Sequence, residues 1–255
     1  MAGIDHLSDQ HLESFRRCGL LVLRDALDGA QTADVKRWVS ELQALPEVPG
    51  KYMIYREDSV AGAPRRMLDR IENFVPYHDA LHQFLTAGCI MGLVSELMGE
   101  PAVLFKEKVN FKLPDGRGFA PHQDMQAGWQ AYADYFLTVA IPADPATEAN
   151  GCLELAARAH DCGLLGPLWA PLDSDVVATL TFDPVMLEPG DLVFFESFVP
   201  HRSAPNCSTQ PRRTLYVTYN RLSDGDHRER YFREKRASFP PDCEREPGKT
   251  YSYKV

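Results

Sequence analysis

A chain of 255 residues can bury a sizeable core, and all-β sandwiches or barrels of this length often form one domain. The composition is 44% hydrophobic and 25% charged, an ordinary globular balance. The formal net charge of −9 excludes a bulk basic footprint for nucleic acid but allows a local basic pocket.

No apolar run approaches the ~20 residues that span a bilayer. The opening Met1-Ala2-Gly3-Ile4-Asp5-His6 lacks the charged head and apolar body of a secretion signal, so a cytoplasmic location is expected. The six scattered cysteines contain no CxxC pair and are predicted to be free thiols.

In chain order, Ser8 caps a predicted amphipathic helix that runs to Arg17 and stops at Gly19. Leu20–Leu23 follows as a short buried strand. A second helix is predicted over Thr32–Leu45, ended by Pro46, and a third over Asp79–Met98, ended by Gly99. The first hundred residues are therefore expected to be largely helical.

Short β-rich runs follow, separated by Pro, Gly, Asp and Asn: Val103–Leu113, Tyr135–Ile141, Gly151–Leu155, Met186–Leu187, Leu192–Phe195 and Leu215–Asn220. Helices first and strands after predict an α+β chain with a mainly β core, a jelly roll carrying N-terminal helices on one sheet. The expected plan is a single domain over 1–255: a helical part with a lid segment to about 100, a jelly-roll core over about 101–222, and a charged tail over 223–255. Within that tail Arg228–Lys235 has helical character.

The chemistry-bearing pattern is Pro121-His122-Gln123-Asp124, followed far downstream by His201. In an extended segment residues i and i+2 share a face, so His122 and Asp124 can meet one metal, with His201 arriving from a distant strand. Two imidazoles and one carboxylate on one octahedral face leave three positions open, the arrangement suited to non-haem iron(II) oxygenases. Arg212, in the following strand, can form a two-pronged pair with a carboxylate such as the distal one of 2-oxoglutarate.

These pieces resemble the phytanoyl-CoA dioxygenase family. The resemblance rests on Pro121-His122-Gln123-Asp124, Asn150-Gly151-Cys152-Leu153-Glu154 with His160 after it, Pro189-Gly190-Asp191, and His201 with Arg212. It implies a double-stranded β-helix, Fe(II) held by His122, Asp124 and His201, O2 and 2-oxoglutarate as co-substrates, and Arg212 on 2-oxoglutarate. Asn110 and Thr138 are implied as secondary 2-oxoglutarate contacts. Ala157-Arg158-Ala159-His160 departs from the family's usual turn, and His160 is expected to be structural. Asp124 stands where related halogenases carry a small residue, so hydroxylation is the expected outcome.

The substrate is expected to be a small zwitterionic or anionic molecule. Lys106, Lys108, Asn110 and Lys112 alternate with Phe105, Val109, Phe111 and Leu113; the polar set is either a solvated face or a cationic cavity wall. The segment from Lys51 to Phe74 is either a substrate lid or a set of surface ion pairs. Within the family, Lys106–Pro114, Gly118–Asp124 with Ala127-Gly128-Trp129, and Val199–Ser203 resemble the branch that hydroxylates aminoalkylphosphonates next to phosphorus, upstream of a C–P-cleaving oxygenase. Lys108, Arg158 and Arg202 are then candidate phosphonate contacts, and Trp129, Tyr132 and Tyr135 candidate aromatic walls for an ammonium group. The competing expectations are the same chemistry on a secondary metabolite or amino-acid-like compound, and a jelly-roll metal-binding protein or isomerase without O2 chemistry.

Overall fold

The computed structural model describes residues 3–62 and 64–251. Met1 and Ala2 of the segment read for a leader, and 252–255 of the predicted tail, lie outside the described residues. Helix α1 (Asp9–Cys18) starts at a reciprocal cap in which Ser8 Oγ accepts from His11 N at 3.2 Å and His11 Nδ1 accepts from Ser8 N at 3.4 Å. Gly19 ends it at φ 70°, where a side chain would also run into the His160 ring 2.5 Å away.

Strand β1 (Leu20–Leu23) and helix α2 (Gly29–Gln43) match expectation within a few residues. The predicted third helix divides into α3 (Asp79–Thr86) and α4 (Cys89–Met98), because the backbone leaves the helical region at Ala87 and Gly88. Contrary to the sequence expectation, Asp79–Met98 is by length and hydropathy apolar enough to cross a membrane. It serves the core instead, burying Leu81, Leu85, Ile90, Leu93 and Val94. Each such side chain contributes roughly 1.5–3 kcal/mol of transfer free energy.

The N-terminal part is less helical than predicted. Strands β2 (Met53–Asp58) and β3 (Arg66–Glu72) form a hairpin that joins the main sheet. The hairpin shows little apolar alternation because Arg70 and Glu72 are buried as ion partners, their Nε and Oε1 2.8 Å apart. The remaining strands are β4 (Ala102–Lys112), β5 (Phe119–His122), β6 (Phe136–Pro142), β7 (Leu153–Leu155), β8 (Asp183–Val185), β9 (Leu192–Glu196), β10 (His201–Ser203) and β11 (Arg212–Arg221). The run Met186–Leu187 is not a strand: Met186 is exposed and Leu187 forms an isolated bridge to Ala146. A short helix, α5 (Ser174–Val177), lies before β8, and α6 (Arg228–Ser238) lies in the tail.

Among the described residues the strands build two antiparallel sheets, β1-β9-β6-β11-β4-β3-β2 and β5-β10-β7-β8, which together make the jelly roll. One face of the large sheet packs Val109, Val139, Ile141, Leu215 and Val217 into the core shared with α1–α4. Ala140, Val193, Phe195 and Tyr216 on its other face pack with Leu153 and Leu155 of the small sheet.

The β4–β11 register slips at one point: Lys106 opposes Thr218 and Leu104 opposes Tyr219, leaving Phe105 as the extra residue of a bulge. Phe105 therefore departs from its predicted face and packs against Trp129, Tyr132, Phe136 and Tyr231.

Candidate metal centre and active-site cavity

His122 closes β5 and His201 opens β10, and the two residues are directly paired across the small sheet. Their rings lie 4.2 Å apart, centre to centre. Asp124 reaches them differently from expectation: it starts a 3-10 turn, Asp124–Ala127, instead of continuing the strand. Gln123 and Gln126 hold that turn reciprocally, and the side chain of buried Gln123 donates to the carbonyls of Gly163 (2.8 Å) and Phe198 (2.7 Å). Gln126 donates to Pro167 and Ala170, both at 2.9 Å. The two amides thus tie the segment bearing Asp124 to the loop over the cavity. Sequence reasoning did not select these glutamines; their spacing around Asp124 was the available signal.

The ligand atoms of His122, Asp124 and His201 lie within 4.8 Å of one another. His122 Nδ1 bonds the Ala120 carbonyl at 2.7 Å, and His201 Nδ1 bonds the Val199 carbonyl at 3.0 Å. A carbonyl only accepts, so each Nδ1 carries the proton and each Nε2 keeps its lone pair for a metal. Burial and the neighbouring His201 pull His122 down to about 3, and burial lowers His201 as well. Asp124 is held below the usual carboxylate range: burial opposes ionisation, but His201, Lys106 and Lys108 outweigh it. Two neutral imidazoles and an ionised carboxylate are the donor set a ferrous ion requires.

Thr138, implied as a secondary 2-oxoglutarate contact, lines the slot beside the triad, donates to Asp124 Oδ2 at 3.3 Å and pairs with Thr218 at 2.9 Å. An ionised carboxylate only accepts, so the Thr138 hydroxyl that meets Asp124 donates to it and orients it.

Arg212 is 2% exposed, bonds Tyr216 Oη at 3.2 Å and leaves Nε buried without a partner. Asn110 Oδ1 and Thr214 Oγ1 are also buried and unpartnered, and these two residues face each other on β4 and β11. Orphaned polar groups around a buried guanidinium are the cradle a dicarboxylate would fill. The adjacent Arg213 is already closed onto Asp144, with Nε–Oδ2 at 2.7 Å and Nη2–Oδ1 at 2.8 Å.

The other candidates divide. Lys108 and Asn110 line the narrow slot beside the triad, and Trp129 lines the wider cavity that also reaches His122 and Asp124, about 480 Å³ in volume. Arg202 lines the slot, but its Nε and Nη2 both grip Glu154 Oε2, at 2.9 and 2.8 Å.

Arg158 is not brought to the triad; it sits at φ 66° over a separate cleft with Cys18 and Cys162. Tyr135 is also elsewhere, bonded to Glu196 at 3.1 Å under the Arg221 guanidinium. Arg158 N bonds the Cys18 carbonyl at the end of α1, and Tyr135, just before β6, packs against the helix-covered core. His160 is buried against Gly19, as a structural residue would be. Tyr132 lines the cavity and donates to Glu234 at 2.5 Å, and Trp169, unforeseen from sequence, stands at the mouth over Gly128.

Three comparisons bear on this geometry. The family model "Phytanoyl-CoA dioxygenase (PhyH)" matches residues 15–214. A 2-aminoethylphosphonate dioxygenase from uncultured bacterium HF130_AEPn_1 is 42% identical, covering 98% of this chain and 95% of the relative. A methylphosphonate hydroxylase from Gimesia maris is 40% identical, covering 91% and 88%. Among solved structures, EctD from S. alaskensis with 2-oxoglutarate and 5-hydroxyectoine superposes with a TM-score of 0.73 at 18% identity, covering 86% of this chain and 77% of that one.

With the triad assembled, the fold shared and the sequence matched over most of its length, the chain belongs to the phytanoyl-CoA dioxygenase family and is an iron(II)- and 2-oxoglutarate-dependent dioxygenase.

Proposed function

We propose that this enzyme hydroxylates the carbon next to phosphorus in a small aminoalkylphosphonate, 2-aminoethylphosphonate or its N-trimethyl form, with the whole chain acting as one catalytic domain. The observation that carries the reading is the cavity itself. The metal triad opens onto a space of about 480 Å³ lined by Lys106, Lys108 and Lys235, by the rings of Trp129, Tyr132 and Trp169, and by Glu234. A zwitterion fits that polarity, its anion on the lysines and its ammonium among aromatic faces and a carboxylate.

His122, Asp124 and His201 would hold the ferrous ion, and Arg212 with Asn110 and Thr214 would hold the far carboxylate of 2-oxoglutarate. When bound, these supply the oxidation: O2, 2-oxoglutarate and a substrate C–H become succinate, CO2 and C–OH. The protein's own work is positioning. Thr138 keeps Asp124 turned toward the imidazoles, while Gln123 and Gln126 hold the loop that covers the cavity. The product, a 1-hydroxyphosphonate, is what a C–P-cleaving oxygenase would consume. Ferrous iron and 2-oxoglutarate are supplied in the cytoplasm, which supports a cytoplasmic enzyme.

Methylphosphonate is a second reading, favoured by the 40% identity to a methylphosphonate hydroxylase. Phosphorus NMR and mass spectrometry of products from all three phosphonates, with iron and 2-oxoglutarate, test both. One added oxygen with matching succinate from an aminoalkylphosphonate supports the first. Turnover of methylphosphonate alone selects the second, and no phosphonate product overturns both.

A further inference from the structure

Lys106 is a buried lysine, 6% exposed, whose ammonium makes no hydrogen bond or ion pair among the described residues. Its Nζ lies 4.4 Å from the centre of the Trp129 ring and 5.6 Å from that of Tyr231, so two aromatic faces hold and desolvate it. It lines both the slot and the wider cavity beside Asp124. An unpartnered buried cation is costly unless a ligand supplies the missing anion.

The strand decides which anion. Lys106, Lys108, Asn110 and Lys112 follow one another along the inner face of β4, opposite Thr218, Tyr216, Thr214 and Arg212 of β11. Six residues separate Lys106 from Lys112, roughly 20 Å of strand. 2-Oxoglutarate anchored on Arg212 would extend from the Lys112 end of this row toward the metal. The triad stands at the Lys106 end of the row, because Thr138, which bonds Asp124, pairs with Thr218 opposite Lys106. Lys106 lines the wider cavity there and Arg212 and Asn110 do not, so Lys106 is left to the second reactant.

We infer that Lys106, with Lys108 beside it, is the specificity-determining anchor for the anionic head of the substrate, a phosphonate dianion, and sets which carbon is oxidised. Two cations at i and i+2 match two negative charges, and the aromatic walls keep water from competing. A head group fixed at the rim of the metal site leaves the carbon bonded to phosphorus as the nearest C–H. This assignment rests on the phosphonate reading above.

The test is anaerobic calorimetry of 2-aminoethylphosphonate and methylphosphonate binding to the enzyme loaded with Fe(II) and 2-oxoglutarate. Lys106→Met keeps the chain length between Trp129 and Tyr231 while removing the charge. Affinity for both phosphonates is expected to fall roughly 10- to 100-fold. The 2-oxoglutarate affinity, read from its visible charge-transfer band with Fe(II), is expected to stay within about twofold. Lys106→Arg, which keeps the charge, is expected to retain most of the binding.

Unchanged phosphonate affinity in Lys106→Met, or an equal loss for 2-oxoglutarate, overturns the assignment. So does a Lys106→Arg variant that binds as weakly as Lys106→Met. No phosphonate binding by the unsubstituted enzyme removes the phosphonate reading itself, and this assignment with it.

Discussion

Each imidazole of the metal site is steadied by the carbonyl two residues upstream, Ala120 for His122 and Val199 for His201. The proton is thereby fixed on Nδ1 before any metal arrives, and no reorganisation is needed on binding. Arg212 and Arg213 are adjacent yet opposite in role: one is buried toward orphaned polar groups, the other is spent on Asp144. Arg212→Ala is therefore expected to weaken 2-oxoglutarate binding roughly 30- to 100-fold in the charge-transfer titration while leaving the melting temperature nearly unchanged. Arg213→Ala is expected to do the reverse, leaving 2-oxoglutarate affinity intact and costing about 3 kcal/mol in urea denaturation as Asp144 loses its partner. If the two phenotypes exchange, the 2-oxoglutarate anchor has been assigned to the wrong arginine.

At the scale of elements, α6 forms a wall of the cavity through Tyr231, Glu234 and Lys235. Two buried ion pairs, about two turns apart on one face of the helix, clamp it to the main sheet. Arg228 Nη2 lies 2.7 Å from Glu107 of β4, and Lys235 Nζ lies 2.6 Å from Glu72 of β3. Burial would raise the Glu72 pKa, but Lys235, Arg70 and Lys106 outweigh it and hold Glu72 at about 2 against an ordinary 4.5. A carboxyl lowered on folding adds stability above pH 4.5 and loses it as the pH falls toward 2, here on the order of 3 kcal/mol. Glu72→Gln is expected to flatten that acid limb in pH-dependent chemical denaturation. A variant that retains the full acid dependence would show that other carboxylates set it.

For the whole molecule, the largest apolar core lies between the helices and the large sheet, away from the triad. The metal is thus expected to add stability without being needed for folding. Chelation should leave the circular dichroism spectrum intact, and metal with 2-oxoglutarate at about 100 times Kd should add ~2.7 kcal/mol, a rise of roughly 5–10 °C in melting temperature. Unfolding on chelation would make the centre structural.

What the sequence determined alone is local: the cap at Ser8, the stop at Gly19, the strand-rich second half, and the three side chains able to share one ferrous ion. Those depend on neighbouring residues and on the few donor sets iron accepts. The tertiary structure alone decided that the β2–β3 hairpin joins the sheet, that Thr138 comes within bonding distance of Asp124, and that Arg158 and Tyr135 lie away from the cavity. It also decided that Lys106 faces the site beside a bulge at Phe105. The reason is register: which side chains meet depends on how strands far apart in sequence align, and a slip of one residue sends a side chain to the other face.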